Sequence, residues 1–249
     1  MLLSTTYFGP IQWFSKLFQN QGKETYIEAC ETFQKQTFRN RCVIATANGQ
    51  LPLTVPVSHR NGAPICDTLI SDHGNWRHLH WQALQTAYGE SAFFEYYEDS
   101  LRPFFFDEGP SSPVHHKFLL DYNLAGAELL CKLLDIDVRM AFTEQFLPPE
   151  RTEGTESSEG SEGSEINKND WRYSIRPKNA PADPSFFPKE YYQVYKQRTG
   201  FLPNLSILDL LFNEGPQAIL TLRDCFLLPI QLENDLSLNP SPVHSDSNS

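Results

Sequence analysis

Three stretches of the chain carry residue types whose spacing could do chemistry. Gln34, Lys35, Gln36, Arg39, Asn40 and Arg41 gather cations and amides in one short run. Arg39 and Arg41 stand two apart, so on a strand they share a face. Such a pair can grip a phosphate or carboxylate through paired N–H donors. The plainer reading is a surface cluster balanced by Glu28 and Glu31. The stretch from Asn75 to Glu98, NWRHLHWQALQTAYGESAFFEYYE, mixes tryptophans, histidines, an arginine and a run of aromatics. His78 and His80 project about 200° apart on an ideal helix and cannot share a metal from it. HExxH spacing is absent, so no metal site is expected. His80 shares a helix face with Trp76, Leu84 and Ala87, which predicts a partly buried imidazole with a tunable pKa. As a general base it needs an orienting carboxylate, taken here as Asp99 from among Asp72, Glu95 and Asp99. The alternative is a core histidine bonded to a backbone carbonyl. Trp76 is expected to touch substrate. Lastly, Thr6, Tyr7 and Gln12 lie in a strand-to-helix turn, where free N–H groups attract anions.

Those residues need elements to position them. Leu2 to Thr6 reads as a first strand, broken by Gly9-Pro10. Ile11 to Gln19 has Trp13, Phe14, Leu17 and Phe18 at helical spacing. Thr25 to Ala29 is a second strand, completing a βαβ pattern. Arg41 to Ala47 and Leu51 to Val57 flank Asn48-Gly49, a hairpin signal in which both central residues take positive φ. Ile65 to Ile70 is a further strand. Asn75 to Tyr88 is a helix closed by Gly89, and Ser91 to Phe106 is partly helical. His115 to Leu134 is a long helix with a leucine face, followed by a strand within Asp135 to Phe142. Tyr191 to Phe212 reads as helical with a break at Gly200 to Pro203. Within Asn204 to Gly215, Ser206 and Asp209 could serve a site or cap backbone groups, on a helix whose main role is packing. The expected fold is α/β: a Rossmann-like mixed sheet with flanking helices and a β-hairpin.

The 249 residues suit one large domain. Its expected parts are an α/β core over 1–149, a disordered acidic insertion over 150–169, a helical part over 170–233 and a disordered tail over 234–249. Arg151 to Asn169 is Ser, Gly and Glu, which cannot repay ordering entropy. A net charge of -11 argues against a nucleic-acid partner. Five cysteines, widely spaced and without a CxxC pair, read as free thiols in a reducing compartment. No apolar run approaches the ~20 residues that span a bilayer, and the N-terminus lacks the form of a signal peptide. The expected location is cytoplasmic. GxSxG, P-loop and GxGxxG motifs are absent, and no cofactor is implied.

Five strings, in order, carry a family likeness: YFGPIQWFSKL at Tyr7 to Leu17, ETFQKQTFRNRCVI at Glu31 to Ile44, NGQLPLTVPV at Asn48 to Val57, WRHLHWQALQTAYGESAFFEYYED at Trp76 to Asp99, and LPNLSILDLLFNEGP at Leu202 to Pro216. The chain resembles the WbqC-like protein family, in the form common in Bacteroidetes. The resemblance implies a role beside O-antigen and surface-polysaccharide biosynthesis, and so an anionic small-molecule substrate such as a sugar phosphate or nucleotide-sugar. It supplies no catalytic residues. On that basis the expected activity is group transfer, with Lys35, Arg39, Asn40 and Arg41 holding the anion and His80 and Asp99 as catalytic pair. The competing expectation is a non-catalytic binding module for a metabolite or protein.

Overall fold

A computed structural model describes residues 1–58, 62–149 and 169–226. The expected acidic insertion, apart from its last residue, and the expected tail lie outside the described residues. The fold is mixed α/β. Strands β1 (Leu2–Ser4), β2 (Glu24–Glu28) and β7 (Arg139–Phe142) form a parallel sheet in the order β1-β2-β7. Leu2 opposes Tyr26, and Tyr26 opposes Ala141. On its other edge β1 accepts Trp171 N–H at the Leu2 carbonyl. β1 is buried along its whole length, as expected of a parallel strand covered on both faces.

Helix α1 (Ile11–Gln19) follows β1 and is buried from Ile11 to Leu17, including Lys16. That lysine sits 2.7 Å from the Asp183 carboxylate and over the Trp171 ring. An ammonium can be buried there only because both partners are supplied. Strands β3 (Arg41–Thr46) and β4 (Gly49–Thr54) form the expected hairpin. Its turn differs in detail from the expectation. Thr46 pairs with Gly49, so Ala47 and Asn48 are the loop residues, and only Gly49 takes positive φ, at 100°. The backbone reversal is thus taken up by the glycine that opens β4, which has no Cβ to oppose a positive φ.

Three other expectations are corrected. Ile65 to Ile70 is not one strand. The Ile65 and Cys66 N–H groups donate to Glu31 and Ala29, which bends Ile65–Asp67 into a 3-10 turn. Only β6 (Leu69–Ile70) remains to pair with β5 (Val57–Ser58). Helix α2 (Trp76–Tyr88) is as expected, and α3 (Phe94–Leu101) follows it. Helix α4 (Leu119–Leu133) starts later than His115, because the Leu119 N–H and the Lys117 carbonyl are bonded to the chain around β6. The last segment is not helical from Tyr191. It holds a single turn, α5 (Lys196–Thr199), then α6 (Ile207–Glu214) and α7 (Ala218–Asp224). Tyr191 and Gln193 lie outside any helix, with their side chains bonded to the Asp209 carboxylate on α6.

Two distant segments interlock at the core. Ile11 N–H donates to Leu205, and Ile207 N–H donates to Gly9. Ser206 Oγ donates to the Phe8 carbonyl at 2.7 Å, while Ser206 N–H reaches Val43 on β3. Gln12 and Asn204 exchange two hydrogen bonds, backbone N–H to Oδ1 and Nδ2 to Oε1. Ser206 also caps α6 by accepting from Leu208 N–H. Truncating Ser206→Ala removes this cap and orphans the Phe8 carbonyl. It is expected to cost about 1–3 kcal/mol in urea unfolding, against a few tenths for an exposed serine.

Candidate functional site

The carboxyl ends of β1, β2 and β7 meet at a buried cluster of charge. Glu28 ends β2 and has no solvent exposure, and Glu31 follows it at 1%. Arg39 forks onto Glu31, with Nε at 2.7 Å from Oε1 and a second N–H on Oε2. Its guanidinium also donates to Ser4 Oγ at 2.8 Å. Arg172 donates to Glu28 at 2.7 Å and forks onto Asp170. Glu28 further accepts from Thr143 Oγ1 and from the N–H groups of Cys30 and Leu147. Ser4 joins the two pairs by donating to the Arg172 carbonyl. Two voids of about 10 Å³, each the size of one water, lie on either side of Thr5, Thr6 and Trp13.

Arg39 and Arg41 do not share a face. Thr37 caps a 3-10 turn at Phe38–Asn40, and β3 begins only at Arg41. Arg39 therefore turns inward to Glu31, while Arg41 points outward beside Thr54. Asn40 is buried and donates to the Val55 carbonyl. Lys35 is exposed on the preceding turn. The α1 N-terminus is closed to anions, because Ile11 and Gln12 N–H groups are already taken by Leu205 and Asn204. Thr6 is buried, with its hydroxyl unpartnered.

His80 lies in an aromatic box. Its Nδ1 is 2.9 Å from the Tyr7 hydroxyl, and its ring packs 5.1 Å from Trp76. Tyr7 in turn stacks on Tyr122. Burial lowers the His80 pKa to about 4, against a smaller upward pull from a backbone hydrogen bond to Thr54. The ring is neutral at pH 7 and only 6% of the residue is exposed. Asp99 sits exposed on α3. The hydrogen-bond partners of the imidazole are Tyr7 and Thr54, so the structure does not bring Asp99 to it. Arg39, Arg41 and His80 thus occupy three separate environments.

The cations that do converge are Arg41, Arg176 and Lys178. They surround an open hollow of about 310 Å³ over the outer face of the β3–β4 hairpin. Gln50 and Asn204 add amides, and no carboxylate lines it. Phe38 lines both this hollow and one of the small voids beside Arg39. Asn204 is held there by Gln12, which gives that residue a positioning role. Sequence reasoning missed Arg176 and Lys178. The available signal was the basic RPK run at Arg176 to Lys178, shortly after Trp171.

The segments that build this arrangement are the ones a family model covers. The WbqC-like protein family model matches residues 6–221. The chain belongs to the WbqC-like protein family. A relative described as uncharacterized protein Rv1507c of Mycobacterium tuberculosis is 33% identical over 205 residues, spanning 78% of this chain and 84% of its own. No solved structure matches. Among the described residues of this WbqC-like chain, no helix is long and apolar enough to cross a membrane.

Two outcomes are expected. Arg39→Ala leaves Glu31 charged and buried, which should cost about 3–5 kcal/mol in chemical denaturation. For His80, the folded pKa of about 4 lies below the ordinary 6.5. Between those values the unfolded chain binds the extra proton, so stability falls as pH drops from 6.5 towards 4. The loss approaches about 3 kcal/mol. Asp209, raised by burial to about 6, acts in the opposite sense over nearly the same range. The His80→Gln minus wild-type difference across pH 4–7 isolates the histidine contribution, and that difference should shift in favour of the variant as pH falls.

Proposed function

We propose that this WbqC-like protein binds an anionic small molecule, a sugar phosphate or nucleotide-sugar, in the hollow between Arg41, Arg176 and Lys178. The observation that carries this reading is three cations facing one open space with no lining carboxylate, in a chain of net charge -11. A phosphate gains charge-assisted bonds from all three without first displacing a protein anion. Gln50 and Asn204 supply neutral donors and acceptors for the rest of the ligand. The sugar-derivative identity and the surface-polysaccharide context are drawn from the family resemblance. The unpaired state of all five cysteines supports a cytoplasmic setting.

A second reading, group transfer on the bound ligand, is favoured by one observation. The hollow is separated by Phe38 from the charged cluster at the carboxyl edge of the parallel sheet, the edge where α/β proteins place their ligands. The Glu28 and Glu31 carboxylates are already saturated by arginines, so binding is the reading placed first.

Thermal denaturation with UDP-, GDP- and dTDP-sugars tests the proposal. A ligand at 100 times its Kd adds about 2.7 kcal/mol of stability. Arg41→Ala and Lys178→Ala should each weaken binding by about tenfold or more while leaving the unliganded protein folded. Absence of any response across the three nucleotide-sugars and simple sugar phosphates would overturn it. Hydrolysis or transfer of the ligand during incubation would select the second reading.

A further inference from the structure

A second hollow, about 330 Å³, opens beside the first turn of α2. Its polar wall is Asp72, Asn75, Arg77 and His78, and its apolar wall is Phe105 and Phe106 with Trp76 beneath. The charge logic differs from that of the cationic hollow. Arg77 is paired with the Asp72 carboxylate, donates to the Val114 carbonyl at 3.3 Å, and lies 4.5 Å over the Trp76 ring. Its charge is already compensated, and no lysine lines the space. An anion entering here would have to compete with Asp72, and a cation would have to compete with Arg77.

What remains available is hydrogen bonding and a small apolar surface, chiefly the half-buried Phe106 ring, since Trp76 and Phe105 are each only 4% exposed. Carboxylate, amide, guanidinium and imidazole all present their donors or acceptors in a plane. Trp76 is fixed by its indole N–H bond to the Ser71 carbonyl. Phe106 is half-buried, with the His78 ring edge-on at 6.4 Å. A concave site with aromatic floor and a few convergent polar groups is the common form of a small-molecule site.

We propose that this hollow binds an uncharged ring compound that offers one apolar face and a hydrogen-bonding rim. Two sources share that chemistry, a nucleoside base and a pyranose ring. The proposal does not rest on the anion site. It is tested by titrating the full chain with uridine, adenosine and methyl glucopyranoside while following the Trp76 indole N–H resonance, assigned through Trp76→Phe. A saturable shift with a nucleoside or with the glycoside supports the proposal and identifies the source. Phe106→Ala should weaken that binding about tenfold. Asn75→Gly should weaken it as well, and it suits the positive φ of 49° at that position, so it serves where Phe106→Ala does not fold. No saturable shift with any of the three, or an equal shift with inorganic phosphate, would overturn the proposal.

Discussion

Four charged groups with almost no solvent exposure, Glu28, Glu31, Arg39 and Arg172, set the terms for the rest of this molecule. Removing one ion from water costs several kcal/mol, and a partner repays that only with good geometry and further hydrogen bonds. Glu28 has both, and Glu31 has the geometry of a two-bond fork. Glu28 accepts from Arg172, Thr143 and two backbone N–H groups, and Glu31 takes the forked Arg39. The chain returning at Asp170 must therefore lie against β1, because only from there does Arg172 reach Glu28. The register of β2 is fixed by the same demand, since a one-residue slip would turn Glu28 away from the cluster.

This division of charge explains why two arginines so near in sequence behave differently. Arg39 is consumed by the fold, as is Arg172. Arg41, beyond the 3-10 turn, keeps its guanidinium outside with a single neutral partner in Thr54. Phe38 stands between the two regions. His80 shows the same economy on the other side of the hairpin. Its hydrogen-bonding capacity goes to Tyr7 and the Thr54 backbone, which ties α2 to the turn after β1 and to β4.

Much of the architecture was legible from local pattern. The βαβ opening, the hairpin, and the helices α1 and α2 follow from apolar periodicity and glycine placement. Patterns set by long-range partners were not legible. Tyr191 and Gln193 leave a helical pattern for Asp209, and Ile65 bends as its N–H donates to the Glu31 backbone carbonyl. The site was half readable. Arg41 belonged to a cation run visible in the sequence, but its companions Arg176 and Lys178 come from more than 130 residues further on. The burial of Arg39 could not be read, because its spacing from Arg41 has strand meaning only if both lie on a strand.

The clasp between residues 8–12 and 204–207 bears on how the chain is made. Until Asn204, Leu205 and Ser206 leave the ribosome, the opening helix lacks acceptors for its first N–H groups, and its apolar sides lack α6 and α7 to cover them. Synthesis at ~5–20 residues per second leaves that helix waiting for ten seconds or longer. Contacts of such long sequence separation also form slowly, since the intervening loop must close first. The nascent amino-terminal half is thus an expected client for chaperones, and a chain stopped short of Leu205 would leave its first unit without a lock.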